Sequence, residues 1–417
     1  MRCVRDCRAV LLGLLLALPA GAGARDAAPA LRVALDRPVP GMTALADPAQ
    51  RYALYLPPGY PGNRSWPLLV MLDPRGRADD ALALALAAAR RNGWIVMSAE
   101  GSRSDVPQAG TLAALQALLV DAEGRYAIDR HRLYLAGMSG TAKTLWPVAQ
   151  PLRARVAGLL GCAGAPTARE VAALRPPPPF AGCSGRRDFN HASMRTLDDS
   201  LARIGAAHRL DTFAGLHGWS ADLGPAIDWL QLQAMRSGLA PMDAGRVDAL
   251  YAQAAAALDA PASDDDALQR YRALDQAVRD FDGLRDVTGW RARRDALAAD
   301  PALERLRAEE RGLHDDERRY QQVVDAWFAR MAPRSGDAPR GPPALAESLR
   351  MLQVPALRRL AGDADRARAD SAWRRLALAR AAAGSYAPER ARARGDEAMA
   401  RAALAVAEAI GPLDPGT

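Results

Sequence analysis

The chain has 417 residues, of which 49% are hydrophobic and 25% are charged, and its net charge is +7. This length predicts two or three domains, and the composition excludes wholesale disorder. A single lysine, Lys143, stands beside 54 arginines, and these are spread along the chain without a basic cluster interleaved with aromatic residues. We therefore expect no nucleic-acid partner.

Residues 1–24 have the pattern of a secretory signal peptide. Three arginines within the first eight residues precede an apolar run at 9–18, and an Ala-x-Ala-like cleavage site follows at 22–24. The run is too short to span a bilayer comfortably, and no later stretch reaches the length needed, so we expect no stable membrane insertion. The sequence predicts export to the periplasm or to the medium.

Two of the four cysteines, Cys162 and Cys183, lie beyond the predicted signal peptide, in segments predicted to be strands. In an oxidising compartment such a pair could form a disulfide. Two buried thiols of small apolar character are the alternative. The sequence leaves both interpretations open.

Residues 50–237 alternate short apolar runs with helix-like segments. The predicted strands cover 51–56, 67–72, 94–98, 132–136, 156–162, 180–183 and 209–213. The predicted helices cover 78–91, 111–124, the segment after Ser139, 191–205 and 220–236. This alternation predicts an α/β fold with a mostly parallel sheet flanked by helices, and we assign residues 25–240 to that domain. Its ligand chemistry is expected at the carboxyl ends of the strands.

From residue 241 onward, Ala, Arg, Asp and Leu recur at helical spacing, which predicts an all-α domain over 241–417 whose helices include 344–361 and 388–410. Trp373, Leu376 and Tyr386 show a faint likeness to a tetratricopeptide helix pair, although no clean period of about 34 residues repeats. The domain is interpreted either as a module that binds a protein partner or covers the substrate, or as a packing domain. The sequence does not decide between these.

The segment Ala-Gly-Met-Ser-Gly-Thr-Ala at 136–142 joins a predicted buried strand to a predicted helix. A serine flanked by glycine at such a turn is typical of a nucleophile elbow, because the tight turn needs small neighbours and lifts the hydroxyl toward substrate. Ser139 is therefore the candidate nucleophile. The N–H of Gly140, at the start of the helix, is a candidate donor to a developing oxyanion.

A hydroxyl nucleophile needs a base, and the chain has five histidines. His131 and His208 lie at the starting ends of predicted strands, His191 lies at a helix start, and His314 lies in the helical region. His217 follows the last predicted strand by a short loop, at the carboxyl end of the sheet. We therefore expect His217 to be the base.

Two further parts of the site follow from chain order. The carboxylate that orients the base should lie past a strand end between Ser139 and His217, and Asp188 does so. The second oxyanion donor should lie in the loop after the strand 67–72, which reads Asp-Pro-Arg-Gly. Because proline has no N–H, this donor is expected to be Arg75 or Gly76.

The region 50–237 resembles the α/β-hydrolases of the esterase type, related to polyhydroxybutyrate depolymerase-like and feruloyl-esterase-like exported enzymes. The matching pieces are RYALYLPPGYPGNRSWPLLVMLDPRG, LYLAGMSGTA, SGRRDF and GLHGW. The resemblance covers somewhat under half of the chain and shares the family's order of Ser, Asp and His. It implies hydrolysis through an acyl-enzyme, with Ser139 as nucleophile, His217 as general base and acid, and Asp188 fixing the imidazole tautomer.

Two positions depart from the family pattern. Thr141 stands where the family has the last glycine of Gly-x-Ser-x-Gly, so extra bulk is expected where helix and strand approach closely. The loop Asp-Pro-Arg-Gly at 73–76 replaces the more usual His-Gly-rich oxyanion loop.

The sequence therefore predicts an exported serine hydrolase that cleaves small-molecule or polymeric carboxylic esters. A serine peptidase of the same fold, and a helical-repeat interaction protein with an inactive hydrolase domain, are the alternatives. We expect no cofactor and no metal, because there is no glycine-rich phosphate loop, no zinc spacing of Cys and His, and no calcium loop completing the acidic run 264–266.

Overall fold

The computed structural model describes residues 33–104, 108–260, 267–331 and 341–413. The predicted signal peptide at 1–24 and the acidic run at 264–266 lie outside the described residues. No helix in the described part of the chain is long and apolar enough to cross a membrane.

The described residues form two compact units. The first comprises 33–184, 193–213 and 218–243, and the second comprises 185–192, 214–217 and 244–413. Two short segments from the part of the chain that builds the sheet thus belong to the second unit. These segments contain Asp188 and His217.

The first unit is built on one eight-stranded sheet in the order β1-β2-β4-β3-β5-β6-β7-β8. Its strands are β1 (Val39–Thr43), β2 (Arg51–Tyr55), β3 (Trp66–Leu72), β4 (Ile95–Ala99), β5 (Ile128–Met138), β6 (Val156–Cys162), β7 (Phe180–Gly185) and β8 (His208–Phe213). Strand β2 pairs antiparallel with β1 and β4, whereas β4, β3, β5, β6 and β7 pair in parallel. This sheet confirms the predicted α/β fold class with a mostly parallel sheet. The sequence does not predict β1, because Pro40 and Gly41 interrupt its apolar pattern.

Helices cover both faces of the sheet. They are α1 (Ala78–Asn92), α2 (Ala109–Arg125), α3 (Gly140–Ala149), α4 (Ala168–Ala173), α5 (His191–Arg203) and α6 (Gly224–Arg236). Apolar residues of α1 and α6 pack with one set of alternating strand residues, which includes Leu69 and Met71. Those of α2 and α3 pack with the opposite set, which includes Leu68 and Val70. All seven residues of β3 are buried, as expected for a central strand covered on both faces.

The second unit contains the helical region, as predicted from the helical spacing beyond residue 241. Its helices are α7 (Ala244–Asp259), α8 (Ala267–Phe281), α9 (Thr288–Ala299), α10 (Pro301–Met331), α11 (Leu345–Met351), α12 (Val354–Leu360), α13 (Arg366–Ala381), α14 (Ala387–Arg392) and α15 (Glu397–Ile410). A π-helical turn, Ala382–Tyr386, joins α13 to α14. Its main apolar core gathers Trp327 of α10 with side chains from α11 to α15.

The structure divides two segments that the sequence predicts as continuous helices. The segment 344–361 is interrupted at Gln353, and the segment 388–410 is interrupted at Gly395. Both residues have positive φ, 54° at Gln353 and 75° at Gly395. A left-handed residue ends the run of helical hydrogen bonds, and only the glycine announces such a break in the sequence.

Cys162 and Cys183 form a disulfide between β6 and β7. The two residues are directly opposed in the parallel register, and their Cα atoms are 4.5 Å apart. Of the two interpretations left open by the sequence, the structure contains the bonded pair. The disulfide joins β6, the neighbour of the strand that leads into Ser139, to β7, the strand that leads to Asp188.

We expect the double replacement of Cys162 and Cys183 by alanine to lower the free energy of unfolding by about 3 kcal/mol, because the bond closes a chain separation of 21 residues in the unfolded state. Urea unfolding followed by circular dichroism measures the difference. Adding a reductant to the wild-type protein should lower its stability to a similar degree, while the variant should not respond. Equal stability of oxidised wild type and variant would contradict this assignment.

Candidate active site

Ser139 lies at a sharp turn between β5, which ends at Met138, and α3, which begins at Gly140. Its φ is 55° and its ψ is −123°, a conformation that non-glycine residues seldom adopt and that costs about 1–3 kcal/mol. Its N–H donates to the carbonyl of Cys162 over 2.8 Å, so β6 holds the strained residue in place. The predicted elbow therefore has the backbone geometry that the sequence interpretation requires.

The turn at Ser139 depends on two glycines that allow a very close backbone approach. A Cβ atom on Gly137 would lie 2.7 Å from the backbone of Thr141, where α3 passes over the end of β5. A Cβ atom on Gly164 would lie 2.1 Å from the carbonyl oxygen of Ser139. Glycine is thus needed at 137, just before the serine in the chain, and at 164, in the loop after β6.

Thr141 is accommodated at the position where the family pattern has glycine. Its side chain is fully buried, and its hydroxyl donates to the Leu72 carbonyl over 2.5 Å and accepts the Met138 N–H over 3.0 Å. The Thr141 hydroxyl therefore both donates and accepts a hydrogen bond, and it links the ends of β3 and β5. The extra bulk expected from the sequence is present, but it is bonded into the turn.

Asp188 and His217, which sequence reasoning places in one site, form a hydrogen-bonded pair in the second unit. His217 Nδ1 lies 2.9 Å from Oδ1 of Asp188, and that carboxylate is fully buried. The same oxygen accepts the N–H of Asn190 over 2.7 Å, and Phe189 stacks on the imidazole with ring centroids 4.2 Å apart. A carboxylate at Nδ1 favours the tautomer whose Nε2 carries a lone pair, which is the state a general base needs.

The loops that carry Asp188 and His217 are held against each other through their backbones. The N–H of Arg187 donates to the carbonyl of Gly215 over 3.0 Å. A Cβ atom on Gly185 would lie 2.4 Å from the carbonyl oxygen of Leu216, so only glycine permits this approach. The sequence shows the glycines of these loops but not that they meet.

Asp73 is a buried carboxylate at the end of β3 that organises the following loop. It accepts the N–H of Arg75 over 2.8 Å, the N–H of Arg77 over 3.2 Å and the indole N–H of Trp219 over 3.0 Å. Burial acts to raise the pKa of Asp73, but these bonds favour the carboxylate more strongly, and the pKa is lowered from its ordinary value. Asp73 thereby joins the loop after β3 to the residue two positions past His217. Sequence reasoning did not identify this role.

The predicted second oxyanion donors are both used within that loop. Arg75 donates its N–H to the Asp73 carboxylate, and Gly76 donates its N–H to the Asp73 carbonyl over 3.1 Å. The hydrogen bonds therefore do not support Arg75 or Gly76 as the donor, because the Asp-Pro-Arg-Gly sequence closes on itself as a turn. Gly140 is the first residue of α3, where helix N–H groups lack an acceptor within the helix, which suits the role predicted for it.

Within 33–104, 108–260, 267–331 and 341–413, no three His, Cys, Asp or Glu side chains are grouped to hold a metal ion.

No protein-family model and no curated protein matches the chain. Solved structures that resemble it include a thermostable esterase, with 17% identity over 43% of this chain and 58% of that one, at a TM-score of 0.35. An S-formylglutathione hydrolase from Staphylococcus aureus has 12% identity over 44% of this chain and 90% of its own, at a TM-score of 0.35. A fluorophosphonate-binding serine hydrolase from the same organism has 14% identity, covering 44% and 92%, at a TM-score of 0.36. Likeness at this level carries no argument about activity, which has to come from the residues themselves.

We expect Asp73→Asn to lower the free energy of unfolding by about 1–3 kcal/mol at neutral pH, because the new amide N–H₂ would face the donors of Arg77 or Trp219. Since the pKa of Asp73 is lowered in the folded protein, its contribution is present above the pKa of the unfolded carboxyl, about 4, and is lost as the pH falls through the lower folded value. The difference from wild type should therefore shrink below pH about 4.

Urea unfolding at several pH values measures this difference. Asp79→Asn, which changes an exposed carboxylate at the start of α1, is the matched control and should be nearly neutral. A stability difference for Asp73→Asn that does not depend on pH would contradict the assignment.

Proposed function

We propose that this protein is a serine hydrolase that cleaves carboxylic esters through an acyl-enzyme intermediate. The observation that carries the proposal is the strained backbone of Ser139, with φ 55° at the turn from β5 into α3. The strained backbone of Ser139 does not stabilise the fold. It is explained if Ser139 is a nucleophile, because the sharp turn exposes its hydroxyl at the carboxyl end of the sheet. The hydrogen-bonded Asp188–His217 pair supplies the base that such a serine needs.

In the proposed reaction, Ser139 Oγ attacks the ester carbonyl carbon while Nε2 of His217 accepts the hydroxyl proton. Asp188 keeps the imidazole oriented and stabilises the imidazolium that forms. The N–H of Gly140 and the N-terminus of α3 stabilise the oxyanion. His217 then returns the proton to the departing alcohol, and a water molecule activated by the same imidazole hydrolyses the acyl-enzyme.

The ester class comes from the resemblance of residues 50–237 to exported esterases. The same chemistry would serve a peptide bond, so the proposal includes a preference for esters over peptides. An alcohol leaves a tetrahedral intermediate more readily than an amine, and a site of this type therefore needs less assistance with an ester.

Export is part of the proposal. It is supported by the signal-peptide pattern at 1–24 and by the Cys162–Cys183 disulfide, since disulfides persist in oxidising compartments. We infer that the mature chain begins near residue 25 and acts in the periplasm or the medium.

We expect the purified protein to hydrolyse p-nitrophenyl esters of short acyl chains and to react with a fluorophosphonate probe. Ser139→Ala should abolish labelling and lower kcat/KM by at least about 10³-fold, because the nucleophile is removed. Gel fluorescence and initial rates measure the two effects, with peptide p-nitroanilides beside the esters to separate the substrate classes.

Ser200→Ala is the matched control, since Ser200 lies in α5 and bonds the Thr196 carbonyl and the Arg203 guanidinium of its own helix. It should label and turn over like wild type. A folded wild-type protein that neither labels nor hydrolyses esters would sink the proposal, as would equal labelling of Ser139→Ala.

A further inference from the structure

The segment that carries Asp188 is bonded to a helix more than 180 positions later in the chain, within the second unit. Nε of Arg187, the residue directly before Asp188, donates to Oδ1 of Asp370 over 2.9 Å. The Arg187 guanidinium also lies over the ring of Trp373, 5.2 Å from its centroid. Both partners lie on α13, so this helix holds the side chain next to Asp188.

A second bond from α13 holds the backbone of the same segment. Nη1 of Arg374 donates to the carbonyl of Arg186 over 2.8 Å. Two other nitrogens of Arg374 bond Glu317 of α10, with Nε and Nη2 lying 2.9 and 2.7 Å from its Oε1. Ser371 donates to the same oxygen over 2.8 Å. Arg374 is thus fixed by a buried ion pair through Nε and Nη2, while Nη1 bonds the Arg186 carbonyl.

Stability alone does not explain the buried hydrogen-bond network of Arg374, Glu317 and Ser371. Arg374 and Glu317 are each more than nine-tenths buried, and removing two charges from water costs several kcal/mol before their attraction offsets it. Oε2 of Glu317 is buried and has no hydrogen-bond partner among the described residues. Apolar side chains would pack these helices at lower cost, but they would not direct a donor at one backbone carbonyl.

The hydrogen bonds that α13 makes to Arg186 and Arg187 affect the positions of both Asp188 and His217. Asp188 is the next residue and bonds His217 directly, while the N–H of Arg187 donates to Gly215 in the His217 loop. A shift of the 185–192 segment would therefore change the Asp188–His217 distance at once.

We propose that Arg374 and Asp370 of α13 are positioning residues for the Asp188–His217 pair, so that the helical region completes the acid–base part of the site. The consequence for turnover rests on the proposed function, whereas the effect on the pair itself does not. The helical region would then be neither a separate partner-binding module nor packing alone.

Two conservative variants separate positioning from folding. Arg374→Lys keeps a cation beside the buried Glu317, but one ammonium group cannot take the place of a planar fork that reaches both Glu317 and the Arg186 carbonyl. Asp370→Asn keeps the side-chain shape and removes the charge that faces Arg187. Asp275→Asn is the matched control, because Asp275 of α8 forms ion pairs with Arg279 of the same helix and Arg294 of α9, and none of these residues belongs to the Asp188 or His217 loop.

The first readout is the tautomer of His217 in full-length protein labelled with ¹⁵N-histidine, assigned by comparison with His217→Gln. Wild type and Asp275→Asn should show the Nδ1–H tautomer that the Asp188 carboxylate holds. In Arg374→Lys and Asp370→Asn the Nε2–H tautomer should gain population, while circular dichroism shows an unchanged fold. The second readout is ester hydrolysis, where kcat should fall about 10-fold to 100-fold with KM unchanged.

Each failure has its own signature. If His217 keeps the Nδ1–H tautomer in both folded variants, or lacks it in wild type, the positioning proposal is overturned. If the tautomer responds as expected but wild type hydrolyses no ester, the proposed function fails and the positioning role stands. A fall in kcat for Asp275→Asn equal to that of Asp370→Asn would show a general effect of lost charge and would also overturn the proposal.

Discussion

The close packing of α3 against the end of β5 is the constraint on which the candidate site depends. A Cβ atom at Gly137 would strike the backbone of Thr141, and the Thr141 hydroxyl is bonded to the end of β3. With helix and strands fixed this tightly, the residue between them has to turn sharply, and Ser139 adopts a positive φ. The strain is maintained by the sheet, because the Cys162 carbonyl of the neighbouring strand holds the Ser139 N–H.

The proposed acid–base pair, Asp188 and His217, depends on a different kind of restraint. They lie on loops, where backbone polar groups need partners and local structure is seldom self-sufficient. Here the two loops bond each other through Arg187 and Gly215, and α13 supplies charged groups to the Asp188 segment. The two loops are thus fixed by polar contacts from a helix, a requirement that a preorganised site on loops has to meet.

Much of the fold could be predicted from the sequence, because buried strands and amphipathic helices have distinct apolar periods. The candidate residues Ser139, Asp188 and His217 were predicted from their places after strand ends, and the structure brings Asp188 and His217 within hydrogen-bonding distance. The role of Arg374 could not be predicted, since it depends on a contact with Arg186 across 188 positions of chain. The hydrogen bonds do not support the predicted Arg75 and Gly76 donors, because Asp73, whose burial no local pattern announces, accepts both of their N–H groups within a turn.

Peptide mapping of the fluorophosphonate adduct tests the central claim most directly. Cleavage after arginine and lysine releases residues 133–143, a peptide that contains Ser139 as its one serine. Tandem mass spectrometry of the labelled wild-type protein should place the adduct on Ser139, with prior acylation by a slowly hydrolysed ester blocking the reaction. An adduct on another residue, or none on a correctly folded and disulfide-bonded protein, would contradict the account.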